Sequence, residues 1–210
     1  DRKSVVEGES VVLGGGRIIP ILDRKMNVFG YELLYRKSMN NFYEGTDDSQ
    51  ATAELLNHAF FSFRFRELTD DTKAFINFSE ELLMREIPLL ISPDDIVVEI
   101  LERVENTEEL ILVCKKLKQR GYLLALDDFV FHESFESLIN EIGLIKIEFP
   151  VMDKKQQRDL IRKYGQKVKF LAEKVETREE YQEALEMGYD FFQGYFFSKP
   201  IMMKEKDIAS

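Results

Sequence analysis

Seven apolar, β-prone runs in this chain each carry a polar or ionisable residue at or near their end. They are GYELL with Glu32, AFINF with Asn77, IVVEI with Glu99, LLALDD with Asp127 and Asp128, LIKIE with Lys146, KFLAEKV with Glu173 and FFQGY with Gln193. Strands of one closed parallel sheet would bring these groups together, because barrel sites form at the C-terminal ends of the strands. Five carboxylates in one mouth repel one another unless a cation neutralises them. Ligands that are all oxygen favour Mg²⁺, Mn²⁺ or Ca²⁺ over zinc. The two histidines, His58 and His132, are too few and too scattered for an imidazole zinc site. Two cations bridged by Asp127 would hold a hydroxide and a phosphate together, as two-metal sites do when they hydrolyse phosphodiesters. Lys146 would then stabilise developing charge, or orient or deprotonate the water. Any one strand-end glutamate is ordinarily a solvated or salt-bridged rim residue. The coincidence at seven strand ends carries the reading.

The elements that must position these residues follow from periodicity. Continuous apolar runs indicate strands buried on both faces, hence a parallel sheet. RIIPIL (17–22) is an additional first strand, joined to VFGYELLYR by only five residues, Asp23 to Asn27. Five residues cannot hold a crossover helix, so these two strands should pair antiparallel. Helical spacing recurs between later strands: 48–68, a short helix capped by Ser79 with Leu82 and Leu83 inward, 107–120, 135–141, 153–164 and 177–187. Thr107 opens its helix with a Thr-x-x-Glu-like cap region, and Gly121 and Gly188 stop the helices before them. Eight strands with alternating helices predict an α/β fold, a (βα)8 TIM-like barrel with an antiparallel first strand. The aromatic and arginine-rich tail 60–66 reads as a core-facing helix end with snorkelling arginines. Residues 1–16, ending in three glycines, read as a flexible N-terminal arm, 17–203 as the barrel domain and 204–210 as a linker remnant.

Composition narrows the partners. The chain has 210 residues, 44% hydrophobic and 32% charged, with net charge −10. An acidic chain argues against a nucleic-acid polymer as partner, since those surfaces are basic. The single cysteine, Cys114, allows no internal disulfide and favours a reducing cytoplasm; its apolar setting predicts a buried core thiol. No apolar stretch approaches the ~20 residues of a membrane helix.

These motifs, in this order, resemble the EAL domain, the phosphodiesterase domain of bacterial cyclic di-GMP signalling, from about Arg17 to Pro200. The name motif stands as Glu32-Leu33-Leu34 followed by Arg36. FINFS, EILE, LALDDF, IKIE, LAEKVET and FFQGYFFSKP supply the rest. The resemblance implies that Glu32, Asn77, Glu99, Asp127, Asp128 and Glu173 are metal ligands for Mg²⁺ or Mn²⁺ in a suspected two-metal site. It implies that Lys146 and Glu173 are catalytic, that Arg36 and Gln193 contact substrate or its water, and that Glu102 anchors the loop after Asp128. It also implies cyclic di-GMP as ligand, a homodimer, and an HDOD domain C-terminal to this one.

The chain departs from the family pattern at several places. Phe129 to Ser134 replaces the usual Phe-Gly and Gly-rich loop, Glu148 replaces an aspartate, and Lys174 replaces a glycine. Valine at 130 does not cheaply adopt the positive φ open to glycine. Two readings therefore stay open: hydrolysis of cyclic di-GMP to pGpG, or an inactive domain that binds the nucleotide or a protein partner.

Overall fold

A computed structural model describes residues 16–35, 69–101, 107–127 and 136–197 of the chain. Eight strands form a closed barrel in sequential order. They are β1 (Gly16–Asp23), β2 (Val28–Tyr35), β3 (Lys73–Phe78), β4 (Ile96–Ile100), β5 (Leu123–Leu126), β6 (Leu144–Glu148), β7 (Lys169–Glu173) and β8 (Phe191–Phe192). The described α-helices are α1 (Glu80–Met84), α2 (Glu108–Gln119), α3 (Glu136–Ile139), α4 (Lys154–Tyr164) and α5 (Arg178–Met187), with a 3-10 turn at Ile87–Leu90.

The antiparallel start is as expected from the short connection. β1 runs antiparallel to both β2 and β8, while β2 through β8 run parallel to one another. Asp23 closes the hairpin turn. Its Oδ1 accepts from the Lys25 and Asn27 amides, both at 2.8 Å, and Met26 takes a left-handed φ of 64°. Arg24 in the same turn donates to the carbonyls of Leu185 and Tyr189, tying the hairpin to the end of α5.

The helices begin where side chains can satisfy the free amides of the first turn. Ser79 accepts from Leu82, Thr107 from Leu110 and Asp153 from Lys155 and Gln156. Thr177 and Glu180 form a reciprocal capping box on α5. On α2 the third helical position is Leu110, so Thr107 caps alone.

Strand alternation sorts the side chains into two cores. Outward-facing Ala74, Ile76, Phe78, Val98 and Ile100 pack with Leu83, Leu110, Cys114 and Leu117 beneath the helices. Inward-facing Ile21, Phe75, Val97, Ala125, Leu144 and Leu171 fill the lumen. Gly30 makes room for that layer, because a Cβ there would stand 2.5 Å from Lys73 O and 3.0 Å from the Phe75 ring. Cys114 is fully buried, and burial pushes its thiol up to about 12, which suits a packed and unreactive sulfur.

Candidate functional site

The apolar lumen layer dictates where the polar layer must be. Side chains two residues further along a strand point the same way. Moving two positions on from Phe75, Val97, Ala125, Leu144 and Leu171 gives Asn77, Glu99, Asp127, Lys146 and Glu173. The same step from Gly30 gives Glu32, and from Phe191 it gives Gln193. Ladder pairing sets their heights: Asn77 lies opposite Glu99, and Glu148 opposite Glu173. The Asp127 amide donates to Ile100 O, holding that residue at the end of β5.

At the centre stands Lys146, with no solvent exposure. Its Nζ lies 2.8 Å from Glu32 Oε1, 2.7 Å from Glu99 Oε1, 2.7 Å from Asp127 Oδ1 and 3.1 Å from Glu173 Oε1. Gln193 Nε2 donates to the other Glu32 oxygen at 2.6 Å. Glu32, Glu99, Asp127, Glu173 and Gln193 are all buried, and Asn77 is half-buried. Four carboxylates thus face one ammonium with three N–H groups, so donors run short and negative charge is in excess. Accordingly Glu99 Oε1 and Oε2, Glu173 Oε2 and Asn77 Oδ1 are buried without a hydrogen-bond partner, Glu99 Oε1 touching Nζ only outside hydrogen-bond geometry.

The electrostatics follow from that shortage. Burial raises the Glu99 carboxyl well above its ordinary range; Lys146 pulls it down, while Glu32 and Asp127 push it further up. Burial likewise pushes Glu173 up to about 8, against Lys146 and with the help of Asp127 and Glu32. Burial alone would lower the Lys146 ammonium, but the surrounding carboxylates, Glu173 foremost, hold it well above the usual lysine range.

Unpartnered buried oxygens and an all-oxygen donor set fit a hard divalent cation. Glu32, Glu99 and Asp127 each offer an oxygen, all within 4.8 Å of one another, and could hold such an ion. Of the residues expected at the site, the barrel therefore brings together Glu32, Asn77, Glu99, Asp127, Lys146, Glu173 and Gln193. Arg36, Glu102 and Asp128 lie outside the described residues, as does the 129–134 stretch.

One rim contact had no expected role. Lys174 follows Glu173 at a left-handed φ of 57°, and its Nζ lies 2.8 Å from Glu148 Oε1. In the sequence both positions stand out only as departures from a motif. Their adjacency comes from the β6–β7 register, in which Glu148 sits beside Glu173. The backbone after Lys174 is stitched to the end of β8: Val175 N–H donates to Gln193 O, and Phe196 N–H to Val175 O, both at 3.0 Å. Among the described residues no helix is long and apolar enough to cross a membrane.

Comparison with known proteins gives the same picture. A family model described as the EAL domain matches residues 20–200. The uncharacterized protein YuxH of Bacillus subtilis strain 168 is 41% identical over 197 residues, covering 91% of this chain and 48% of YuxH. The cyclic di-GMP phosphodiesterase CdgJ of Vibrio cholerae serotype O1 is 39% identical over 194 residues, covering 90% of this chain and 45% of CdgJ. The chain spans about half the length of these curated relatives. Among solved structures, the Bacillus subtilis YkuI protein, with an EAL domain and in complex with c-di-GMP and calcium, has the same fold. Its TM-score is 0.67 at 22% identity, over 93% of this chain and 56% of YkuI.

Proposed function

Because the chain belongs to the EAL domain family, we propose that it is a divalent-cation-dependent phosphodiesterase domain of bacterial cyclic di-GMP signalling, opening the cyclic dinucleotide to linear pGpG. The observation that carries this reading is the buried basin in which one ammonium meets four carboxylates and several oxygens remain without partners. The name of CdgJ, and the cyclic di-GMP and calcium in YkuI, support the substrate class and the cation.

In this reading Glu32, Asn77, Glu99, Asp127 and Glu173, with Asp128, hold Mg²⁺ or Mn²⁺ in one or two sites. The bound ion supplies charge neutralisation at the phosphate and a more acidic water. Lys146 stabilises charge developing on phosphoryl oxygens. Burial raises the Glu173 carboxyl to about 8 in the cation-free basin, which favours it as the group that exchanges a proton. Gln193 fixes Glu32 in place, Arg36 contacts phosphate, and Glu102 anchors the loop after Asp128. Residues 16–203 form the working barrel, Gly16 opening β1 rather than ending the arm, between an arm at 1–15 and a linker at 204–210. The domain works in the cytoplasm as a homodimer and with an HDOD domain C-terminal to it. Incubation with cyclic di-GMP and Mn²⁺ tests the activity: cation-dependent pGpG is expected, and none above a Lys146→Ala control would end the reading.

A second reading, binding without turnover, draws on Lys174. A non-glycine residue in left-handed backbone directly after Glu173 carries about 1–2 kcal/mol of steric strain that glycine would avoid. Calorimetry with cyclic di-GMP and Ca²⁺, alongside the hydrolysis assay, separates the two.

A further inference from the structure

We propose that the Lys146 ammonium is the resident cation of this basin, and that a divalent ion enters by displacing it rather than by settling beside it. The inference rests on the cation reading of the same site and concerns what that reading requires of Lys146.

Nζ lies within 2.8 Å of one oxygen from each of Glu32, Glu99 and Asp127. These are the same three residues whose oxygens cluster within 4.8 Å as a candidate cation site. The ammonium thus stands among the donors that a metal would use. Both Glu32 oxygens are already engaged, Oε1 by Lys146 and Oε2 by Gln193. A divalent ion needs its oxygens drawn in to about 2.0–2.6 Å. An ammonium left in contact with the same carboxylates would face it across a few ångströms of dry protein, where repulsion is poorly screened.

The basin also offers the ammonium somewhere to go. Its contact to Glu173 is the longest of the four, at 3.1 Å, and Glu173 keeps a second oxygen, Oε2, without any partner. A shift toward Glu173 Oε2 keeps Lys146 hydrogen-bonded while it releases Glu99 and Asp127. Cation loading would then determine when Lys146 becomes free to face a substrate phosphate.

Calorimetric titration of the whole chain with Mn²⁺, beside Lys146→Met, tests this, since methionine keeps the stem without the charge. The variant is expected to bind Mn²⁺ about tenfold or more tightly. Equal or weaker binding by a folded variant would overturn the displacement while leaving the cation reading intact. No Mn²⁺ binding by either chain would remove both. A crystal structure of the wild-type chain with Mn²⁺ serves even if the variant does not fold. Nζ is expected out of hydrogen-bond reach of Glu99 and Asp127 and still paired with Glu173. An ion bound with all four carboxylate contacts of Lys146 retained would sink the proposal.

Discussion

Lys146 Nζ stands 2.7 Å from Glu99 Oε1, and neither side chain has any solvent exposure. The two come from β6 and β4, which are not neighbours in the sheet, so they meet only across the closed lumen. Removing the cation from such a pair leaves buried charge uncompensated, which costs about 3–5 kcal/mol. Lys146→Ala is therefore expected to lower the unfolding free energy in EDTA by about that amount above about pH 8, where Glu173 is ionised, read by urea titration. A loss below about 1 kcal/mol would show that protons or water had already neutralised the carboxylates.

The cation-free protein should lose stability as pH rises from about 5 to about 8. Glu173 is raised from its ordinary 4.5 to about 8, and Glu99 is raised too, so between those values the folded state holds more protons than the unfolded chain. Stability present at low pH is then lost as pH climbs through the folded value. Lys146 contributes steadily across this window, because its titration lies far above it. Melting temperatures in EDTA at pH 5, 6, 7 and 8 should fall, and Glu173→Gln should flatten the trend. A curve that is level or rising would contradict the assignment.

Divalent cations should raise the melting point by an amount that grows with the logarithm of their concentration once it exceeds the dissociation constant. At a hundredfold excess over the dissociation constant, linkage gives about 2.7 kcal/mol. Glu99→Gln keeps the shape of the side chain but removes its charge, so it should abolish most of the Mn²⁺-dependent shift. An unchanged shift would place the ion elsewhere.

Gly194→Ala should disturb the site without touching it. A Cβ there would stand 2.2 Å from Val175 O and 2.4 Å from Val175 N, at a φ of +148° that side chains rarely adopt. Overpacking of this kind costs about 1–3 kcal/mol. It would also push apart the β7 and β8 ends that place Gln193 on Glu32. Denaturant titration should show the loss, and calorimetry should show weakened Mn²⁺ binding.

Lys174→Gly relieves a left-handed residue worth about 1–2 kcal/mol. Against this stand the exposed pair with Glu148, worth about 0–1 kcal/mol, and the greater freedom of glycine in the unfolded chain, about 0.4–1 kcal/mol. Stability is expected to change by between a loss of about 1 kcal/mol and a gain of about 1.6 kcal/mol. A larger loss in a thermal melt would mean that the ion pair holds the rim. A gain in pGpG formation would favour strand-end geometry as the brake on turnover.

Much of the site was legible in the chain because strand alternation is rigid. A strand fixes which side chains share a face, so Glu99 and Asp127 had to follow Val97 and Ala125 into the lumen. The reversed first strand was legible for a steric reason, since Asp23 to Asn27 leaves no length for a crossover. The helix starts at Ser79, Thr107, Asp153 and Thr177 were legible because free amides demand such caps. The partner choice of Lys146 was not. Which of several acids a lysine meets depends on barrel closure and stagger, and these sum small twists over eight strands. The contact of Lys174 with Glu148 was hidden for the same reason, as it arises from the β6–β7 register.

The reversed hairpin has a consequence for biosynthesis. β1 closes the wall by pairing with β8, and Glu32 receives its amide donor from Gln193, 161 residues later. A chain emerging from the ribosome therefore carries its acidic residues exposed to solvent until almost the last strand has been made. Translation that stops short of β8 yields a polypeptide with most of the acids and none of the enclosure.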